Sequence, residues 1–487
     1  MKLWRLLNSS PTIWLTLDRV MQQLVWLALF FILAPILGPK PYGLVAIVMA
    51  FIGLCETVLV GAFVESLITI PSVSESHLKT TNLVVSIIGI AMGGLAFVAA
   101  DPMATFFSSP DLAPLFRALA PLPAISALTV TPIAVLFRQM RFRALALRSI
   151  SGLLGGGVVA VILAWNGAGV WALVAQVLSQ RCIELTMLWA SANTRLGFSW
   201  SRSDFREMRG YTVSFGVSKS MAWLSGQIPR VILGWYLGPT ELGFFALAGR
   251  FVDAVLRVFI LPQTTVARLA LRRFADEPSG LDEALQTVIR QITIIAFPIC
   301  CGLAAITPTL FMALLDARWT AGIVAAQILV LTAIPATTYY CFSAVVQALR
   351  QPHLESQVGV ATNVFTALVV IVAAPHGLYV TCAAMLAQWI VMLPVPLIML
   401  WRLARIPPTN VIWPQIPILC AAAFMGWIVV LSAPIMQSMF GSRLSLPILI
   451  VIGVGTYLPL ALLVAPDVVK GLLKSAFEAR HPNAGVA

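Results

Sequence analysis

The sequence predicts an all-α, polytopic membrane protein with 14 transmembrane helices, arranged as two six-helix lobes in parallel repeat plus two C-terminal helices. Three observations predict it. The first is composition: 60% of the 487 residues are hydrophobic and only 10% are charged, whereas soluble domains carry about 25% charged residues. Continuous apolar runs of this kind suit membrane helices, while an outer-membrane barrel needs alternation. The second is an internal echo. Leu37-Gly38-Pro39-Lys40-Pro41-Tyr42-Gly43 returns 200 positions later as Leu237-Gly238-Pro239-Thr240-Glu241-Leu242-Gly243, with Ala46 matching Ala246 and Phe51 matching Phe251. The third is the placement of the basic residues, which cluster in every second gap between apolar runs.

A span needs about 20 apolar residues. Taken in order, the runs are 15–37, 43–68, 82–100, 113–136, 149–165, 168–190, 211–237, 242–265, 291–314, 321–349, 356–374, 378–400, 413–434 and 445–465. Gly after an apolar run stops a helix, and a neighbouring Pro keeps it stopped. Asn166-Gly167 and Pro375-His376-Gly377 therefore divide runs that would otherwise merge. The N-terminal segment Met1–Pro11 is short, basic and amphipathic and lacks a cleavable-signal pattern, so the first run is expected to be a retained span. The stretch 266–290 is amphipathic and is expected to lie along the membrane surface.

With the N-terminus placed in the cytoplasm, 21 basic residues fall on that side and only Lys40, Arg318 and Arg443 on the other. The cytoplasmic set includes Lys2, Arg5, Lys79, Arg138, Arg148, Arg195, Arg268, Arg290, Arg350, Arg402, Arg405, Lys470, Lys474 and Arg480. A miscounted span would scramble this alternation, so it supports the fourteen spans and predicts that both termini are cytoplasmic. Six spans separate Gly38 from Gly238, so both copies cross in the same sense. The resulting organisation is an N-terminal lobe at 1–196, a polar, basic connection at 197–210, a C-terminal lobe at 211–405, and two additional helices with a tail at 406–487.

Several function classes are excluded by what the chain lacks. The net charge of +12 is spread over short gaps and does not form a nucleic-acid-binding patch. The seven cysteines lie inside apolar runs and read as packing residues, and His77, His353, His376 and His481 have no ligand spacing, so no metal and no cofactor is expected. No nucleotide or nucleophile motif appears, and the expectation is that the protein is not an enzyme.

A charge at the bilayer centre costs about 2.5–3.5 kcal/mol on insertion scales and is kept when it faces water or a partner. Glu56 lies about 20 Å beyond Gly43, and Arg250, Asp253 and Arg257 lie about 10, 15 and 21 Å beyond Gly243. Arg230 lies about 12 Å before Gly238. Arg250, Asp253 and Arg257 recur at i, i+3 and i+7, which puts them on one helix face. They read either as a set of ion pairs fixing helix packing or as the lining of a wet cavity. Arg19 and Lys219, again 200 apart, read either as snorkelling anchors or as cations flanking the mouth of such a cavity. Arg181 and Glu184, at i and i+3, read as a structural pair. Gly89 with Gly93, and Gly152 with Gly156, are spaced for close helix packing.

The string from Leu37 to Ala46 resembles the loop after the first helix of bacterial Wzx-type polysaccharide flippases, especially their WzxC-like branch within the MATE/MurJ (MOP) superfamily. Arg138-x-x-Arg141-Phe142-Arg143, Leu314-Leu315-x-x-Arg318-Trp319-Thr320 and Gln347-Ala348-Leu349-Arg350-Gln351-Pro352 sit where that family has similar strings. The resemblance covers roughly residues 10–405. It implies transfer of undecaprenyl-diphosphate-linked oligosaccharides from the cytoplasmic to the periplasmic leaflet by alternating access, with a polysaccharide polymerase and export machinery as partners. A diphosphate needs buried cations, and Arg can bind it bidentately. The candidates are Arg230, Arg250 and Arg257, with Arg19 and Lys219 at the entrance. Glu56 and Asp253 depart from a purely cationic lining and are candidates for ion coupling or charge balance. The competing readings are a MATE-type cation-coupled exporter and a membrane-bound polymerase or glycosyltransferase. The two extra helices and the excess of cations point away from the first, and the short outer loops away from the second.

Overall fold

A computed structural model describes residues 11–192, 197–274 and 278–469. Lys2, Arg5, Arg195, Lys470, Lys474, Arg480 and His481 lie outside the described residues. The described residues are helical with no strand, and ten of the helices are long and apolar enough to cross a membrane. The chain is thus a multi-pass, all-helical membrane protein. The ten are fewer than the 14 expected. Span six falls on Val170–Ala192, span seven on Arg202–Ala254, and span eight starts on that same helix and runs on through Val255–Ile260 into Leu261–Leu271, none of them among the ten; spans thirteen and fourteen share the single stretch Pro408–Val464.

The chain forms two compact units, Met1–Ala246 and Leu247–Ala487. In the first unit, α1 is Pro11–Leu37, α2 Pro39–Thr69, α3 Glu75–Val98, α4 Leu112–Arg138, α5 Phe142–Trp165, α6 Val170–Ala192 and α7 Arg202–Ala254, whose last turns pass into the second unit. Gly38 between α1 and α2 has φ 75° and ψ 179°, and Gly238 within α7 has φ 78° and ψ 179°. The two motif copies therefore share one backbone break, in a region that an L side chain rarely enters. Each copy is also followed by a π-helical turn, Thr57–Gly61 in the first and Val255–Ile260 in the second. No sequence signal announced these turns.

Within the first unit, α2 and α7 run antiparallel in contact. Gly43 packs on the Pro239 carbonyl and Gly243 on the Pro39 carbonyl, so that a Cβ at either would overlap the other copy's backbone. Farther along, the Trp223 indole N–H donates to the Ala50 carbonyl at 3.2 Å, and Ser66 Oγ donates to the Met208 carbonyl at 3.3 Å. Glycine spacing brings other pairs together as expected: Gly89 and Gly93 of α3 rest on Ala120–Ala127 of α4, and Gly152 and Gly156 of α5 on Gln176–Glu184 of α6. The connection at 197–210 docks on this unit through polar contacts. Asn82 Nδ2 donates to the Gly197 carbonyl at 3.3 Å, the Ser201 N–H donates to Thr80 Oγ1 at 3.1 Å, and His77 Nε2 lies 3.2 Å from Glu207 Oε2.

In the second unit, α8 is Leu261–Leu271, α9 Pro278–Leu314, α10 Gly322–Ala348, α11 Pro352–Ala373, α12 Leu378–Ala404 and α13 Ile416–Val464. The amphipathic stretch expected at 266–290 is helical almost throughout its described part, because α9 starts well before its apolar run. Helix α13 turns at Gly441, φ 71°, and both of its halves pack on α9. Gly426 meets Cys301, and the Tyr457 hydroxyl donates to the Ile294 carbonyl at 2.8 Å.

Candidate functional site

The charged residues inside the helices fall into three groups. In the first unit, Glu56 ends the first α-helical stretch of α2, where the π turn begins. Its Oε2 accepts from Arg181 Nη2 at 2.8 Å and its Oε1 from Ser126 Oγ at 2.6 Å. Arg181 reaches Glu184 Oε2 with its other nitrogen at 2.9 Å, and Gln180 donates to Glu184 Oε1 at 2.9 Å. Arg148 and Asp18 are electrostatic neighbours of the same group. Helices α1, α2, α4, α5 and α6 thus converge on one polar centre with three carboxylates and two guanidiniums. The expected Arg181–Glu184 pair forms, and it also holds Glu56.

The side chains of Glu56 and Glu184 are only 12% and 6% exposed. Removing Arg181 from such a centre leaves the buried Glu56 carboxylate without its ion-pair partner and Glu184 with Arg148 alone nearby. Arg181→Ala is therefore expected to destabilise the protein by about 3 kcal/mol. Differential scanning fluorimetry in detergent should register a lower transition, and adding Glu56→Gln and Glu184→Gln should recover part of it. An unshifted transition in Arg181→Ala would leave these ion pairs without a structural role.

The second group lies on α7 and α1, still in the first unit. Lys219 is exposed, with its Nζ 5.1 Å from the centre of the Phe215 ring, and Arg19 is exposed beside Asp18. Arg230 is half-buried one turn after Gln227, to whose Oε1 its Nη1 donates at 2.7 Å.

The third group belongs to the second unit. Arg250 and Asp253 are half-buried, and Arg257 is exposed on the π turn. Bonding from i to i+5 there turns Arg257 out of strict α-helical register with the other two. Asp253 and Arg257 still share a neighbour, because both act electrostatically on the Tyr340 hydroxyl of α10. Among the described residues, Arg257 makes no hydrogen bond or ion pair within 4.0 Å. Close by in the chain, Arg268 donates to Gln347 at 2.7 Å, and Gln347 and Ser343 both donate to Glu355, at 2.7 and 2.6 Å. Sequence reasoning missed this second network, because only Ser343 and Gln347 stand one helical turn apart, while Arg268 and Glu355 join them from two other helices. No group of three or more metal-ligating side chains occurs among the described residues.

Comparison with known proteins places this architecture. A family profile described as polysaccharide biosynthesis protein matches residues 32–325. The succinoglycan biosynthesis transport protein ExoT of Rhizobium meliloti (strain 1021) is 26% identical over 292 residues, 59% of this chain and 58% of that protein. The teichuronic acid biosynthesis protein TuaB of Bacillus subtilis (strain 168) is 24% identical over 290 residues, 57% of this chain and 58% of its own length. The match thus spans less than two thirds of either relative. Among solved structures, lipid II flippase MurJ in an inward closed conformation superposes with a TM-score of 0.74 at 14% identity, covering 94% of this chain and 99% of that one. An inward-facing multidrug resistance MATE family transporter of the MOP superfamily superposes with a TM-score of 0.58 at 15% identity, over 85% of this chain and 99% of its own. These likenesses show a shared fold. With the family profile covering more than half of its length, this chain belongs to the polysaccharide biosynthesis protein family.

Proposed function

We propose that the protein carries undecaprenyl-diphosphate-linked oligosaccharide units across the bacterial inner membrane by alternating access, for polysaccharide synthesis. The observation that carries the reading is Arg257: an exposed guanidinium about 21 Å beyond Gly243, with no ion pair to a described residue. A cation at that depth needs water or an anionic ligand, and a diphosphate supplies two phosphates for bidentate binding. Arg250 and Arg230 are the further candidates for the diphosphate, with Arg19 and Lys219 at its entry. Asp253 serves charge balance or ion coupling beside Arg257. Glu56 has the same two options, and its bond to Arg181 favours charge balance. Family membership and the names of the two relatives support the glycan side of the reading.

The finer parts of the proposal are an N-terminal lobe at 1–196, a connection at 197–210, a C-terminal lobe at 211–405 and an appendage at 406–487, with 14 spans and both termini cytoplasmic. A polysaccharide polymerase and export machinery are the proposed downstream partners. Deletion of the gene is expected to leave lipid-linked repeat units on the inner leaflet while polymer is lost from the cell surface, measured by lipid extraction and leaflet-specific labelling. Normal polymer in the deletion strain, or precursors found equally in both leaflets, would exclude this function; an altered drug-efflux profile alone would favour the exporter reading.

A further inference from the structure

The second unit contains a cavity of about 200 Å³ that plays no part in the arginine constellation. It is lined by Gln286 and Arg290 of α9, Asn410 and Trp413 before α13, Ile418 near the start of α13 and Val464 at its end, with two prolines and Ala465 completing the wall. Both ends of α13 therefore meet there against α9, about two to three turns past the start of that helix. At each of these three places an expected span (291–314, 413–434 or 445–465) begins or ends. Trp413 is 65% exposed, and an exposed Trp at a span terminus suits the headgroup level of a membrane.

The chemistry of the walls is two-sided. Arg290 is exposed and makes no side-chain hydrogen bond or ion pair with a described residue, so its five donors are open to an anion. Beside it the groups are acceptors. The Asp282 carboxylate accepts from Asn410 Nδ2 at 2.6 Å and from Gln286 Nε2 at 3.3 Å. Those bonds engage both amide nitrogens; Asn410 Oδ1 accepts from Thr409 Oγ1 at 3.5 Å, and Gln286 Oε1 takes no hydrogen bond from a described residue. The last turn of α13 ends at Val464, where the carbonyl end of a helix carries partial negative charge. One open cation beside the Gln286 amide oxygen and the carbonyl end of α13, with the Asp282 carboxylate held just behind the wall by Asn410 and Gln286, suits a zwitterion, with phosphate on Arg290 and ammonium on the acceptor side. Ile418, Pro417 and Val464 supply an apolar floor toward the membrane interior. The volume corresponds to about six or seven water molecules, which is room for a small headgroup.

We propose that this cavity is a binding site for the headgroup of a phosphatidylethanolamine molecule from the surrounding leaflet. It ties α13 to the membrane surface and to α9. The site is independent of the transported substrate and does not rest on the transport reading.

The test uses the full-length protein in nanodiscs made from equal amounts of phosphatidylethanolamine and phosphatidylglycerol, with bound lipid measured by native mass spectrometry. The wild type should retain phosphatidylethanolamine several-fold over phosphatidylglycerol. Arg290→Gln should abolish the preference, and Ile418→Trp, which fills the floor without touching a charge, should do the same. If Arg290→Gln fails to fold, as judged by its melting transition, Ile418→Trp decides alone. Equal retention of the two lipids by the wild type, or an unchanged preference in the folded variants, overturns the proposal. Soluble O-phosphoethanolamine bound as tightly as the lipid would assign the cavity to a free phosphate ester and would overturn the lipid assignment.

Discussion

A single methyl group at Gly43 or Gly243 is expected to destabilise the protein measurably. Both lie in helical segments, where Gly→Ala ordinarily gains about 1 kcal/mol. Here the added carbon has nowhere to go, since each glycine rests on the carbonyl of the proline that opens the other motif copy. Backbone is the obstacle on both sides, so no side chain can swing clear. Overpacking of this kind costs about 1–3 kcal/mol, with sign opposite to the propensity effect. Melting of Gly43→Ala and Gly243→Ala in detergent should therefore fall below wild type. Gly94→Ala provides the control, because a Cβ there meets nothing within 4 Å; it should melt at or above wild type. If all three variants behave like the control, the close approach of the two copies does not exist in the membrane.

That approach also shows what was legible in the sequence. The repeat was readable because Leu-Gly-Pro and the later Gly stand at fixed offsets in both copies, and the backbone angles of Gly38 and Gly238 agree to within a few degrees. The helical character of the apolar runs was readable from length alone. The span count was less so, because Gly238 and Gly441 turn α7 and α13 without ending them, so that neighbouring spans run on in one helix. Pairings between distant helices were out of reach. Glu56 and Arg181 are 125 residues apart, and nothing local to either names the other. Arg148 read as a loop cation because it follows Arg138, Arg141 and Arg143, yet it sits on the second turn of α5 beside Glu184. Local arithmetic also could not foresee a π turn, and that turn resets the direction of Arg257.

For the second unit's arginines, loss of transport without loss of protein is the expected outcome. Arg250→Ala or Arg257→Ala should abolish polymer export while the amount of protein in the membrane stays unchanged. The exposed side chain of Arg257 has no described ion pair to lose, so its removal leaves no buried carboxylate stranded. The contrast with Arg181 is the substance of the prediction, because breaking that ion-paired group should show first as a lower melting transition. An Arg at a diphosphate offers planar, bidentate donors, whereas Lys offers a point charge. Arg257→Lys should then restore export partially if charge attraction contributes, and not at all if the fork geometry is what binds. Asp253 sharpens the test further. If its carboxylate serves only to offset the neighbouring guanidiniums, Asp253→Asn should leave export near normal over a range of external pH and sodium. If it couples an ion, the same change should remove any dependence on those gradients. Export at wild-type rate in Arg250→Ala, in Arg257→Ala and in the double variant would take both residues out of the substrate path and leave their helix a structural one.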